Sequence, residues 1–285
     1  MRLVAIEGNT QKLDGGAMYG NAPRAMWASW SPPDDQNRIA LSCRALLLET
    51  ADGRRVLFEA GIGAFFEPRL RERYGVVESE HVLVKNLTAA GAPPDSIDAV
   101  VLSHLHFDHA GGLLSAYGDG EPRLIFSKAR FYVGRAHWDR SQNPHARDRA
   151  SFIPGLGDLL RSSGRLTLVE SDGVTDLAPQ ISFRFSDGHT PGLMLAQIAL
   201  AGGPIVFAAD LVPGIPWVHV PITMGYDRFP ELLIEEKGAL LKELASSSGK
   251  LFFTHDPAHA CGRVVCDAKG KYSAVPVDLS ALAGG

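Results

Sequence analysis

Residues 103–112 read SHLHFDHAGG, with three histidines and an aspartate inside six consecutive positions, His104 to His109. An imidazole or carboxylate beside an apolar core costs free energy unless it has a partner. Nitrogen and oxygen donors packed this densely suit a divalent metal ion. His104 and His106 are two apart, so in extended chain their side chains leave the same face and reach one ion. Asp108 and His109 are adjacent at a turn and can diverge toward a second. Paired hydrolytic ions typically stand about 3.5–4 Å apart and can share a bridging carboxylate, so the cluster needs further ligands. His189 in SDGHTPG, Asp210 in FAADLVP and His255 in FFTHDP each follow a strand-like run, and complete a set of five histidines and two aspartates.

The elements that must position these residues are legible in outline. The run RALLLETADGRRVLFE (44–59) reads as two strands joined at Asp52-Gly53, a strong hairpin signal. Residues 79–90 read as a helix capped by Ser79 and ending before Gly91. IDAVVLS is a buried strand with the histidine cluster at its end, and HAGGLLSA is expected to open a helix. The second half repeats the pattern: a hairpin over 193–209 turning at Gly202-Gly203, then Asp210, a helix from Pro230 to about Ser246–Gly249, the strand KLFFT, and His255. Two similar halves imply a sheet-on-sheet core with helices outside and loops converging on one edge.

The 285 residues are ample for a buried core and carry no linker-like tract, so one domain over 1–285 is expected. A formal net charge of −4 without a basic stripe speaks against nucleic acid as a partner. The apolar runs are too short to cross a bilayer, and no secretory signal is visible. Cys43, Cys261 and Cys266 lack paired metal-site spacing and suit a reducing cytoplasm.

HLHFDH, then GHTPG, then an aspartate after an apolar strand, then a late histidine: this order resembles the metallo-β-lactamase-fold hydrolases across nearly the whole chain. The resemblance implies an α+β fold, the αββα sandwich of two mixed sheets with helices outside, and a dinuclear site in the groove between the sheets. It implies that His104, His106 and His189 hold the first metal, that Asp108, His109 and His255 hold the second, and that Asp210 bridges them. Class B β-lactamases commonly differ at the positions of His109 and Asp210; the all-His/Asp set is shared by lactonases, glyoxalase II, ribonuclease Z and phosphotriesterases. LDGGAMYGNAPRAMW, AHWDRSQNPHARDRASF and MGYDRFP resemble the quorum-quenching lactonase and methyl-parathion-hydrolase-like group. One departure is Glu59 in FEAG, where the family usually has the aspartate of a DTG turn; a supporting hydrogen-bonding role is expected for it.

The implied function is a dinuclear hydrolase that opens an N-acyl-homoserine-lactone-like lactone or related ester by attack of a metal-bound hydroxide. Phosphotriester or other ester hydrolysis on the same site is the alternative. Glyoxalase II-like thioesterase, diiron oxygen-handling and non-catalytic binding readings rank lower. Zinc is the first expectation for the two ions, and manganese, iron or cobalt would also suit the donors. The family implies that Asp108 shuttles a proton to the leaving alkoxide, and Tyr226 is a candidate donor to the substrate carbonyl. His219, Trp27, Trp30, Trp138 and Phe152 are candidates for the substrate wall, whereas His81, His137, His145 and His259 are read as non-ligands. The partner is a small molecule, and the long N-terminal loop makes a homodimer plausible.

Overall fold

The computed structural model describes residues 1–282. In chain order its strands are β1 (Arg2–Ile6), β2 (Gln11–Asp14), β3 (Arg38–Leu41), β4 (Ala45–Glu49), β5 (Arg55–Phe58), β6 (Ala99–Val101), β7 (Arg130–Gly134), β8 (Leu166–Val169), β9 (Gly173–Val174), β10 (Ile181–Ser186), β11 (Leu193–Ile198), β12 (Ile205–Phe207), β13 (Lys250–Phe252), β14 (Cys261–Cys266) and β15 (Tyr272–Pro276). Two main sheets form, ordered β1-β4-β5-β6-β7-β8 and β15-β14-β13-β12-β11-β10-β9, while β2 and β3 pair apart. Both are mixed, and the halves echo each other. The β4–β5 hairpin is followed by β6 parallel to β5, and the β11–β12 hairpin by β13 parallel to β12.

Strand alternation explains the layers. Leu46, Leu48 and Phe58 join Leu195, Ile205 and Phe207 in the core between the sheets. Their neighbours Leu47 and Leu57 point the other way, onto Leu83 and Leu87 of the helix Val82–Ala89 and Leu156 and Leu160 of the helix Leu156–Ser162. With both faces covered, β4 can be a continuous apolar run rather than an alternating one. On the second sheet, the helix Pro230–Ser246 buries Leu233, Leu240, Leu241 and Leu244, with its proline in the first turn. Lys237 of that helix is also fully buried and donates to Ile222 O at 2.5 Å; burial pushes its ammonium down to about 8.

Two sequence expectations shift. The helix expected from Ser79 begins at Val82, where His81 Nδ1 accepts from Val84 N at 3.4 Å. The segment HAGGLLSA does not open a long helix. A four-residue helix, Phe107–Ala110, carries Asp108 and His109 and gives way to a 3-10 turn over Gly111–Leu113. Here the backbone presses against the preceding loop: a Cβ on Gly112 would lie 1.9 Å from Ala60 O. No helix among the described residues is long and apolar enough to cross a membrane.

Candidate metal centre

The parallel pairs set the site. Strands β5 and β6 run together, as do β12 and β13, so the residues leaving their C-terminal ends emerge on one edge. Glu59 leaves β5, the histidine cluster follows β6, Asp210 follows β12 and His255 follows β13; His189 comes from the turn between β10 and β11. Backbone bonds lock the sheets where these loops meet, Met194 N to Ser103 O at 2.9 Å and Ser42 N to His255 O at 3.2 Å.

Three groups of donor atoms result: His104, His106 and His189; His104, His109 and Asp210; and Asp108, His109 and His255. Asp210 stands between them. Its Oδ2 lies 3.2 Å from His189 Nε2 and 3.8 Å from His104 Nε2, and its Oδ1 lies 3.1 Å from His255 Nε2 and 3.3 Å from His109 Nε2. Asp108 Oδ2 is 3.7 Å from His255 Nε2. Two nitrogen pairs approach closely, His189 Nε2 with His106 Nδ1 at 3.4 Å and His255 Nε2 with His109 Nε2 at 3.2 Å.

Outer partners orient the rings. His255 Nδ1 donates to Ser42 O at 2.7 Å and His189 Nδ1 to Asp227 Oδ1 at 2.9 Å; a carbonyl or ionised carboxylate only accepts, so each ring carries its proton on Nδ1 and turns Nε2 to the site. His104 Nδ1 meets Ser103 Oγ at 2.9 Å. Buried Glu59 accepts from Ser103 N at 2.6 Å through Oε1, and its Oε2 lies 3.2 Å from His109 Nδ1. Glu59 itself sits in the left-handed region, φ 70°. Such a conformation in a side-chain-bearing residue stores strain that the surroundings must impose. Glu236 accepts from the amides of Asp187 and Gly188 and so holds the turn before His189. Arg44 Nη1 donates to Phe253 O and Asp256 O, both at 3.0 Å, bracketing His255.

The donor set fits cations. His104 Nε2, His106 Nε2 and Asp210 Oδ1 are buried without a hydrogen-bond partner among the described residues, a costly state unless something else binds there. Burial, aided by neighbouring imidazoles, holds His104 and His106 well below the usual histidine range, in the neutral form a metal requires. For His109 and His255 burial is the largest single influence and acts downward. The combined pull of Asp210, Asp108 and Glu59 at His109, and of Asp210 and Cys43 at His255, exceeds it, and both stand well above that range. His189 is raised against burial by Asp210 and Asp227. Burial would raise Asp210, but His109, His189 and His255 hold it well below the carboxylate range. The buried carboxylate thus draws positive charge onto its neighbours, a demand that metal ions also meet. His137 is different. Nε2 accepts from Leu105 N at 2.8 Å, Nδ1 faces Pro191 O at 3.2 Å, and burial pushes the ring down to about 3.

A cavity of about 420 Å³ opens over this centre, bordered by Asp108, His189, Asp210 and His255, with apolar walls from Leu13, Met18, Leu41 and Met224. Tyr226 lines it, half-exposed, along with Tyr74 and Arg147. The other expected wall residues lie elsewhere. Trp27 is buried and stacks on Tyr19, centroids 5.6 Å apart. Trp30 and His219 border a separate cavity of about 670 Å³ with Trp217. Trp138 is buried in the outer-face core under the guanidinium of Arg161, 5.5 Å from its ring. Phe152 packs edge-on against His106 at 5.1 Å and borders a different cleft. Large apolar side chains in loops bury against whatever lies nearest, and their sequence position does not say which cavity that is. Asp227, Arg147 and Glu236 were not singled out from the sequence. Asp227 stands in the quoted MGYDRFP, but nothing local marks it as the partner of a histidine 38 positions away.

The sandwich with this cluster at its edge defines a class. Residues 38–255 match the family described as the metallo-beta-lactamase superfamily, and the chain belongs to it. An N-acyl homoserine lactonase of Bacillus sp. is 25% identical over 177 residues, which cover 58% of this chain and 61% of the relative; the match thus spans about three fifths of that protein's length. A crystal structure described as a probable metal-dependent hydrolase from Staphylococcus aureus superposes with a TM-score of 0.86 at 25% identity, covering 97% of this chain and 96% of the other. AidC, described as a dizinc quorum-quenching lactonase in complex with its product N-hexanoyl-L-homoserine, superposes with a TM-score of 0.77 at 20% identity, covering 97% and 94%.

Proposed function

We propose that this hydrolase opens the ring of an N-acyl-homoserine-lactone-like lactone, or cleaves a related ester, using two divalent cations, zinc first among them. His104, His106 and His189 would hold one ion, Asp108, His109 and His255 the other, with Asp210 shared. Bound there, the cations would supply Lewis acidity for the substrate carbonyl and for a nucleophilic water. The observation that carries this reading is the convergence of Asp108, Asp210 and Tyr226 on one cavity that also has apolar walls from Leu13, Met18, Leu41, Phe107 and Met224, beside the polar Arg147, Asp148 and Ser151. The apolar walls suit an acyl chain, and the lactonase relatives support the choice of substrate class.

The roles of the chain's own groups follow from chemistry. Ring opening leaves an alkoxide that needs a proton, and Asp108 borders the cavity as a partly exposed carboxylate able to receive one from the attacking water and pass it on. The Tyr226 hydroxyl stays protonated, its pKa raised by burial and by the charges of Asp108 and Asp14. It can therefore donate a hydrogen bond to an oxygen that gains charge in the transition state. The setting of this reading is the cytoplasm.

The test is proton release from a long-chain N-acyl-homoserine lactone, using metal-loaded protein beside a chelated control. Fast, metal-dependent ring opening supports the reading. Loaded protein that leaves the lactone intact but cleaves a phosphotriester or simple ester overturns it in favour of the alternative.

A further inference from the structure

The segment 224–229 is bolted to the His189 turn from one side and to the opposite bank of the cavity from the other. Asp227, 2% exposed, accepts from His189 Nδ1 through Oδ1 at 2.9 Å and from Met224 N through Oδ2 at 2.6 Å. Backbone bonds reinforce the first attachment, Arg228 N to His189 O at 3.1 Å and Phe229 N to Gly188 O at 2.8 Å. Arg147 Nη2 supplies the second, donating to Gly225 O at 2.7 Å and Asp227 O at 3.4 Å, and Gly225 N donates to Ala17 O at 2.8 Å. Between these attachments stands Tyr226, on the cavity wall with Met224 and Gly225.

We propose that Asp227 is a positioning residue that couples the seating of a cation at His189 to the order of the cavity wall 224–228. The inference rests on the metal-site part of the proposed function and is independent of the substrate. A cation on His189 Nε2 makes the Nδ1 proton more acidic and strengthens its bond to Asp227. Because the same carboxylate holds the Met224 amide, tightening one contact restrains the other. The coupling is reciprocal: a ligand that orders the wall tightens metal binding by the same factor.

Amide hydrogen exchange across 222–229, compared between metal-free and zinc-loaded full-length protein, tests this directly. Zinc should slow exchange at Met224 and Gly225 in the wild type. In Asp227→Asn the slowing should vanish, because an amide side chain cannot accept at both positions, and zinc affinity in a chelator competition should fall by about 10- to 100-fold. Arg147→Met, which cuts the far attachment but leaves the Asp227–His189 contact in place, should quicken exchange in both states and, by the same reciprocity, lower zinc affinity by less than Asp227→Asn does. A wild-type wall that ignores bound zinc overturns the coupling, and that comparison needs no variant. Undiminished zinc affinity in a folded Asp227→Asn protein overturns it as well. Wild type that takes up no zinc overturns the metal site itself, whereas failure on every lactone leaves these readouts standing.

Discussion

Asp210 turns one carboxylate oxygen toward His189 and the other toward His255, at 3.2 and 3.1 Å from their Nε2 atoms. These histidines come from different strand ends of the second sheet, and the aspartate lies within reach of both. Asp210→Ala is therefore expected to lower metal content at both halves of the site rather than emptying one. Metal per chain after dialysis, measured by atomic emission, checks this; a variant that retains wild-type metal content rules out sharing through Asp210.

Asp108 lies farther out, 3.7 Å from His255 Nε2 and on the cavity wall. Asp108→Asn is expected to keep most of its metal, since His109 and His255 remain. Turnover of a substrate that the wild type accepts should fall by about 10²- to 10⁴-fold, the usual worth of a general acid–base. Unchanged kcat in a metal-replete variant would remove the proton-transfer role.

Metal uptake should release protons. His109, His189 and His255 have raised pKa values in the metal-free protein. Groups of that kind lend the metal-free fold a stability that is present below the ordinary histidine pKa and lost as pH rises through the raised values. Protons also compete with metal for the same nitrogens. The gap in Tm between zinc-loaded and chelated protein is thus expected to widen from about pH 6 to about pH 9. A gap that stays flat or narrows argues against these histidines as ligands.

Glu59→Ala removes the acceptor of Ser103 N and leaves that buried amide unpaired, at a cost of about 1–3 kcal/mol. The alanine would still occupy a φ of 70°, so the backbone strain is not relieved. Denaturant midpoints should drop accordingly. Glu59→Gln, whose amide oxygen can still accept from Ser103, should recover much of the loss. Equal midpoints for wild type and the alanine variant would show that the contact contributes nothing.

Gly112 meets Ala60 O so closely that a Cβ would lie 1.9 Å from it. Gly112→Ala must push apart the loop after β5 and the turn after the metal cluster, and overpacking of this kind costs about 1–3 kcal/mol. A lowered melting temperature together with weaker metal retention is the expected result; a neutral variant would mean that the two loops can separate freely.

Much of this was written locally. The β4–β5 hairpin follows from Asp52-Gly53 between apolar runs, with Gly53 at φ 86°, and the helix Pro230–Ser246 from its initial proline and apolar period. His104, His106, Asp108 and His109 advertise themselves because spacing along six residues is itself geometry. His189, Asp210 and His255 were legible for a related reason: each follows a strand. Strands β12 and β13 pair in parallel and deliver Asp210 and His255 to one edge; β10, separated from β12 by the antiparallel β11, runs the same way and brings His189 there.

What tertiary structure decided is everything that depends on which loop meets which. The aromatic residues expected to wall the substrate went into the cores or beside other clefts, while Leu13, Met18, Leu41 and Met224 border the cavity over the metal cluster. Apolar character says that a side chain will be buried, not against what. Asp227 beside His189, Glu59 beneath Ser103 and Arg147 across the cavity are contacts between residues 38, 44 and 78 to 80 positions apart. No local period encodes such separations; they exist only once the two sheets have packed.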